Sequence, residues 1–349
     1  MQPEVGVGNT PVRLAINGYG RIGRCFLRAL QASPDRQSFQ IVLINEPADL
    51  ASMAYLTAFD STHGRFNGTV EAGTDALIID GQQIAVTHAR TPESVAWADH
   101  RVDCVVECSG VYGRRADLDR FVASGCPRLL LSHPGHSAED VDATIVYGLN
   151  QQTLTGHETL VSAASCTTNA VVLILDALDR AFGVEQGMLT TLHSVMNDQP
   201  LIDGYHHDDL RRTRSAMQSI IPVSTGLARG VERLLPALKG RVQAKAIRVP
   251  TLNVSAIDMT LQVGTEVDAG QINQCLQGLA EGDCRGLVAY SQTAHASIDF
   301  NHDPHSVIVD GSQTQVLGKQ MVNVFLWFDN EWGFANRMLD VLACWRFGK

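Results

Sequence analysis

VRLAINGYGRIGRCFLRALQA runs from Val12 to Ala32 and reads as strand, turn and helix in direct succession. Val12 to Asn17 is a short apolar run of the kind a buried strand requires. From Ile22 the apolar residues fall at helical spacing, with Ile22, Cys25, Phe26, Ala29 and Leu30 on one face. Between the two stands G-x-G-x-x-G, formed by Gly18, Gly20 and Gly23 with Arg21 and Ile22 inside it. The first glycine permits a tight turn, the second lets backbone approach a diphosphate, and the third lets helix and strand pack closely. The N–H groups at the start of the helix then face the phosphates. Alone the motif is weak, but here it has the strand before it and the helix after it that the reading requires. A tight turn that binds nothing is the weaker alternative.

Phe39 to Asn45 (FQIVLIN) reads as a second buried strand, which closes a βαβ unit with a right-handed crossover. Glu46 follows it, 23 residues past Gly23. An acid there binds a ribose 2'-OH and repels a 2'-phosphate, so the expected cofactor is NAD and not NADP. Further strands are expected at Ala76 to Ile79, Gln83 to Thr87, Asp103 to Cys108, Leu129 to Ser132 and Leu160 to Ser162. The helices between them fit Met53 to Phe59, Ser94 to Ala98 and Leu118 to Ser124. After residue 165 the pattern changes to long strand-like stretches: Met188 to Val195, Val242 to Arg248, Val254 to Val263, Ser306 to Val309 and Met321 to Phe328. Helices are expected near Ala228 to Leu235 and Gly270 to Ala280, with a last one from Glu331 to Trp345. That favours a mixed or antiparallel sheet. The expected class is α/β: a Rossmann-type NAD-binding domain over residues 1–165, completed by a C-terminal helix at 331–349, and an α+β catalytic domain over 166–330.

With 349 residues, two domains are the prior. A net charge of -10 argues against a general nucleic-acid or membrane-surface binder. Met1 to Pro11 lacks the basic and apolar regions of a signal peptide, and no apolar run is long enough to span a bilayer. None of the eight cysteines is spaced as C-x-x-C, so reduced thiols in a cytoplasmic protein are expected, with no disulfide framework and no zinc site.

One cysteine stands apart. Cys166 lies in Ala-Ser-Cys-Thr-Thr-Asn, flanked by Ser165 and Thr167, and opens the apolar run Ala170 to Leu178. A helix N-terminus favours a thiolate, and a histidine in reach can pair with it and move a proton. His193 is the candidate. An inert buried cysteine is the usual reading of an isolated Cys, but the polar surroundings are unlike a core. Asp209 to Arg214 (DLRRTR) and Arg248 supply guanidinium groups suited to phosphate, and Ser224-Thr225-Gly226 adds hydroxyls. For Arg211 and Arg214 a solvated face or a subunit salt bridge is the preferred reading. His206-His207-Asp208-Asp209 and Asn301 to His305 read as loops without metal. Asn330 stands in a polar turn before the last helix, where it either binds an amide or caps the helix.

INGYGRIGR, SCTTN, His193, DLRRTR, IIPVSTG, RVPT and DNEWGF occur in the order and spacing of the glyceraldehyde-3-phosphate dehydrogenase family, which the chain resembles over essentially its whole length. The segments INE (Ile44 to Glu46), GVYG (Gly110 to Gly113), SHPG (Ser132 to Gly135), HSVMNDQ (His193 to Gln199), FNHDPHS (Phe300 to Ser306) and VDGSQT (Val309 to Thr314) resemble its erythrose-4-phosphate branch. The resemblance implies a homotetramer and a phosphorylated short-chain aldose as substrate. It implies catalysis by Cys166 and His193, and cofactor contacts from Gly18, Gly20, Arg21, Ile22, Gly23, Glu46, Ser132 and Asn330. Ser165, Thr167, Asp198, Arg212, Thr225, Gly226 and Arg248 would hold the substrate or the acceptor. The branch implies water as acceptor and 4-phospho-D-erythronate as product, made for pyridoxal 5'-phosphate. The alternative is the phosphorylating glycolytic enzyme, and a non-catalytic nucleotide-binding protein is the third reading. The chain departs from the family at Ala163, where Asn is usual, and at Met196, where glycolytic members carry a phosphate-binding Thr.

Overall fold

The computed structural model describes residues 10–347, with the side chains of residues 35, 346 and 347 left undescribed. Met1 to Pro11, read as lacking a signal peptide, lies almost wholly outside them. The chain forms two compact units, Met1–Ala143 with Gly156–Ala163, and Thr144–Thr155 with Ala164–Lys349.

The first unit begins with β1 (Val12–Asn17), α1 (Arg21–Ala32), β2 (Phe39–Asn45) and α2 (Leu50–Ala58). A small ribbon follows, β3 (Phe59–Asp60) with β4 (Gly64–Arg65), then β5 (Val70–Ala72), β6 (Ala76–Ile79) and β7 (Gln82–Thr87). The remaining elements are β8 (Cys104–Glu107), α3 (Arg115–Ala123), β9 (Leu129–Leu131), β10 (Ala143–Thr144) and β11 (Leu160–Ser162). One sheet has the order β10-β11-β9-β8-β1-β2-β7-β6-β5. Strands β11, β9, β8, β1, β2 and β7 are parallel, and β6 and β5 add antiparallel edges. This is the doubly wound order that the opening βαβ unit implied. It places a switch point between β1 and β8, where ligands of such sheets bind.

The helix expected at Ser94 to Ala98 is a short 3-10 turn, Pro92–Ser94. Its proline starts the turn, and Val95 is already extended at φ -104°, ψ 126°. Buried Trp97 then ties down the chain, its indole N–H donating to Pro92 O and Ser124 Oγ, both at 3.1 Å. α2 starts earlier than expected because Asp49 caps it, accepting from Ser52 N at 2.9 Å.

The second unit contains α4 (Cys166–Phe182), β12 (Val184–His193), β13 (Ile221–Val223), α5 (Leu227–Leu234), β14 (Val242–Arg248), β15 (Ser255–Val263) and α6 (Ala269–Glu281). It ends with β16 (Val288–Ser291), β17 (Val307–Leu317), β18 (Met321–Phe328) and α7 (Trp332–Phe347). The sheet order is β13-β14-β12-β15-β18-β17-β16, with β12–β14 and β16–β17 parallel and the other pairs antiparallel. The sheet is therefore mixed. β17 is much longer than the expected Ser306 to Val309, because polar Ser312, Gln313 and Thr314 carry the strand past a register shift. Leu173, Ile174, Leu175 and Leu178 of α4 are buried with Leu189, Ile257, Met259, Val322 and Val324 of the sheet in one core cluster. Each such side chain stabilises the fold by about 1.5–3 kcal/mol.

The C-terminal helix groups with the second unit and not with the first, as does Thr144–Thr155. Its inner face explains the grouping. Arg337 is buried against Ser306 Oγ at 3.3 Å, and Cys344 Sγ lies 3.9 Å from Gln151 O.

Candidate functional site

In the first unit, the C-terminal ends of β2, β1 and β8 lie abreast, with Asn45 opposite Asn17 and Asn17 opposite Glu107. The chain leaves β1 through Gly18 at φ +86°. A Cβ there would lie 2.5 Å from Ser109 Cα and N, so both conformation and space demand glycine. A Cβ on Gly23 would meet Gly18 O at 2.4 Å. Gly20 differs: nothing stands within 4 Å of its Cβ position. That open space lies at the N-cap of α1, where no side chain caps the helix. Amide donors, positive helix end and vacant approach together fit a diphosphate. Arg21 commits its guanidinium to Asp60 at 2.6 Å, so what it offers a ligand is backbone.

Glu46 is aimed by the glycine turn itself. Its Oε2 accepts from Tyr19 N at 2.7 Å and its Oε1 from Ala48 N at 3.2 Å. Ser132 follows β9, and its amide donates to Glu107 O at 3.0 Å. The sheet edge thus gathers Gly18, Gly20, Arg21, Ile22, Gly23, Glu46 and Ser132. Asn330, also read as a cofactor residue, belongs to the second unit. Sequence reading missed Asn17, Asn45 and Glu107, whose signal was a polar residue ending each of three otherwise apolar strands, and Ser109 two residues past the last of them.

In the second unit, Ser165 caps α4, its Oγ accepting from Thr168 N at 3.1 Å. Ala164 turns the chain into the cap at φ +61°. Cys166 is therefore the first residue of a capped helix, half-buried, with Thr167 Oγ1 3.8 Å and His193 Nε2 3.9 Å from its Sγ. His193 ends β12, with its ring edge-on to Phe328 at 6.3 Å. Its Nδ1 lies 2.8 Å from Ser194 O and 2.7 Å from Arg248 Nη1. One nitrogen cannot donate to the carbonyl and accept from the guanidinium together. Donation to Ser194 O leaves a lone pair on Nε2 facing the thiol.

Burial pushes the Cys166 thiol up, with the Thr167 hydroxyl and the Arg248 charge pulling weakly against it. Burial and then the Arg248 charge push His193 down to about 4. Burial thus works against the thiolate that the helix start favours, while His193 is held neutral near pH 7. Proton transfer from sulfur to nitrogen creates two charges that stabilise each other, so the pair is ready to ionise on attack.

The cations converge here. β14 pairs in register with β12, which sets Arg248 opposite His193. Arg212 Nη1 donates to Asp198 Oδ2 at 3.0 Å, and the Arg248 charge feels both Asp198 and Arg212. The Nε atoms of Arg212 and Arg248 are buried without a hydrogen-bond partner, and Arg212 Nε lies 3.9 Å from Asp209 Oδ2. Gly230 of α5 crosses the start of α4, its Cβ position 2.9 Å from Thr168 Oγ1. Thr225 and Gly226 are exposed at the head of α5, and Thr225 Oγ1 accepts from Leu227 N at 3.2 Å. Arg214 pairs with Asp203 at 3.0 Å on the surface. Asn330 is buried, and its Oδ1 accepts from Ser194 Oγ at 2.9 Å and Ser255 Oγ at 2.8 Å. Its Nδ2 is what remains to offer a carbonyl. The helix-cap role is taken by Asp329, which accepts from Glu331 N and Trp332 N at 3.0 and 2.8 Å. Ser194 and Ser255 were not singled out in the sequence, since nothing local marks a serine as a support for a distant asparagine.

A dinucleotide-binding unit in one chain with a thiol–imidazole pair ringed by arginines is the make-up of an NAD-dependent dehydrogenase acting on an aldehyde. Residues 12–115 match the NAD binding domain of glyceraldehyde 3-phosphate dehydrogenase, and residues 165–330 match its C-terminal domain. The chain belongs to that family.

Proposed function

We propose that the protein oxidises D-erythrose 4-phosphate to 4-phospho-D-erythronate, with water resolving a thioester on Cys166, as a step toward pyridoxal 5'-phosphate. The observation that carries this reading is Met196. Its thioether side chain is 45% exposed where glycolytic relatives use a hydroxyl to hold phosphate, and only its backbone is engaged, with Gln199.

Cys166 Sγ attacks the aldehyde carbon as His193 Nε2 takes the thiol proton. The Cys166 amide and Thr167 hydroxyl lie beside the developing oxyanion. His193 hands that proton to the oxyanion to complete the hemithioacetal hydroxyl, takes it back as the hydride departs, and loses it to solvent before water attacks. The glycine turn and Glu46 would hold NAD, whose nicotinamide would supply the acceptor for the departing hydride. Water, deprotonated by His193, releases the acid and restores the thiol. Arg212 and Arg248 neutralise the substrate phosphate, with Asp198 orienting Arg212. Thr225 and Gly226 line the adjoining polar edge.

Phosphorolysis is the second reading, and the exposed Ser224-Thr225-Gly226 loop favours it. The test measures NADH from erythrose 4-phosphate and from glyceraldehyde 3-phosphate, with and without inorganic phosphate. Turnover of erythrose 4-phosphate in phosphate-free buffer supports the reading. An absolute phosphate requirement with faster use of glyceraldehyde 3-phosphate transfers the assignment to the glycolytic reaction.

We also propose a homotetramer in the cytoplasm. Leu201, Ile202, Tyr205, Leu210 and Ile220 expose large apolar surface along one segment, which a subunit contact would cover. The cysteines all stand as free thiols, which suits a reducing compartment.

A further inference from the structure

The dinucleotide unit contains a carboxyl group that the reaction does not use. Glu107 is 0% exposed at the end of β8. Its Oε2 accepts from Asn17 Nδ2 at 2.5 Å, and Asn17 Oδ1 accepts from Asn45 Nδ2 at 2.8 Å. Asn45 Oδ1 in turn accepts from Thr87 Oγ1 and Ala89 N, both at 2.9 Å. The bonds run in one direction across the ends of β7, β2 and β1 and terminate on Glu107. From the other side its Oε1 accepts from Ser109 N at 2.7 Å and from the Ser109 hydroxyl. No arginine, lysine or histidine among the described residues forms an ion pair with it.

Ser109 is the exposed residue against which Gly18 is packed, so Glu107 fixes the wall of the glycine turn. While Glu107 is ionised, the Ser109 O–H points inward to the carboxylate. Once Glu107 is protonated, its own O–H can donate to Ser109 Oγ, which already accepts from Val111 N at 3.2 Å. The serine hydroxyl proton is then released to point outward, toward whatever occupies the turn.

We infer that Glu107 is a positioning residue of the dinucleotide site, and that binding of the anionic diphosphate is accompanied by proton uptake on its carboxyl and reversal of the Ser109 hydrogen bond. A carboxylate directly behind the phosphate turn repels the ligand, whereas a neutral acid does not. Burial pushes Glu107 up to about 7, with its hydrogen bonds from Ser109 and Asn17 pulling against this, so both forms are accessible near neutrality. The titratable groups that feel its charge are Cys108, the residue just past the strand, and Tyr112 in the loop that follows. Both are raised and neutral in this range. The facing residues of β1 and β9, Asn17 and Leu131, do not titrate.

The test is calorimetric titration of the full chain with NAD, in buffers of different ionisation enthalpy, at pH 6, 7 and 8.5. A Cys166→Ser background keeps the thiol–imidazole proton out of the count. The expected result is fractional proton uptake near pH 7 and a Kd that weakens on the order of tenfold toward pH 8.5. Glu107→Gln should abolish both the uptake and the pH dependence. Ser109→Ala should keep the uptake and weaken NAD binding at pH 6 by a few-fold. Zero uptake by the parent at all three pH values overturns the proposal, even if Glu107→Gln does not fold, and so does unchanged uptake in a folded Glu107→Gln.

Discussion

The two units solve the problem of holding a ligand with different materials. The dinucleotide turn is made of backbone: Gly18 and Gly23 close it by having no side chain, and Gly20 leaves it open. The thiol centre is made of side chains drawn from far apart, with Cys166 at a helix start, His193 and Arg248 at neighbouring strand ends, and Asn330 before the last helix. A backbone site is specified by a contiguous motif, whereas a side-chain site is specified by sheet register. Mutations should therefore fail differently in the two regions, by conformation and access in one and by chemistry in the other.

The largest effect separates them outright. Cys166→Ser is expected to lower dehydrogenase turnover by on the order of 10³-fold or more, because a hydroxyl at its ordinary pKa is a far weaker nucleophile. NAD affinity should stay within about twofold in a direct binding titration. Loss of cofactor binding together with turnover would break the division between the units.

His193→Ala should cut turnover by roughly 10²–10⁴-fold and shift the pH profile of Cys166 alkylation upward. It carries a stability signature as well. The folded-state pKa of His193 is depressed to about 4 from 6.5. Its neutral form thus costs nothing above pH 6.5, and stability is lost as pH falls from 6.5 toward 4. The alanine variant should lose less stability over that window, as followed by thermal melts. Identical acid limbs would show that the imidazole is not buried neutral.

The glycine turn admits an internal comparison. Gly18→Ala combines φ +86° with a clash against Ser109 backbone, and should lower stability by about 1–3 kcal/mol or more. Gly20→Ala sits at φ -72° with open space around it, so melting should be nearly unchanged while NAD binding weakens roughly tenfold. Equal loss of stability in the two variants would contradict the assignment of the open space to a ligand. The smallest effect is expected at Glu46. Glu46→Gln removes the charge facing the ribose and should move the NADP-to-NAD ratio of kcat/KM by several-fold toward NADP. An unmoved ratio would reduce Glu46 to a brace for Tyr19 N.

The contrast also explains how much could be read in advance. Glycine spacing, the acid after the second strand and the opening βαβ unit were legible, because turn conformation and βαβ connectivity act over a few dozen residues. The cysteine and histidine were legible by type. Their 3.9 Å separation was not, since it depends on β12 closing against β14 and on Phe328 backing the ring. The helix at Ser94 failed because Trp97 is drawn into the core, a tertiary demand that overrides local spacing.

By itself the sequence determined the cofactor unit, the family and the residues capable of the chemistry, since each is written in short motifs whose physics is local. Only the tertiary structure decided the desolvation of the thiol pair, the support of Asn330 by two serines and the burial of Glu107 behind the glycine turn. Those depend on which groups lose water together, and desolvation is a property of the packed fold and of no single segment.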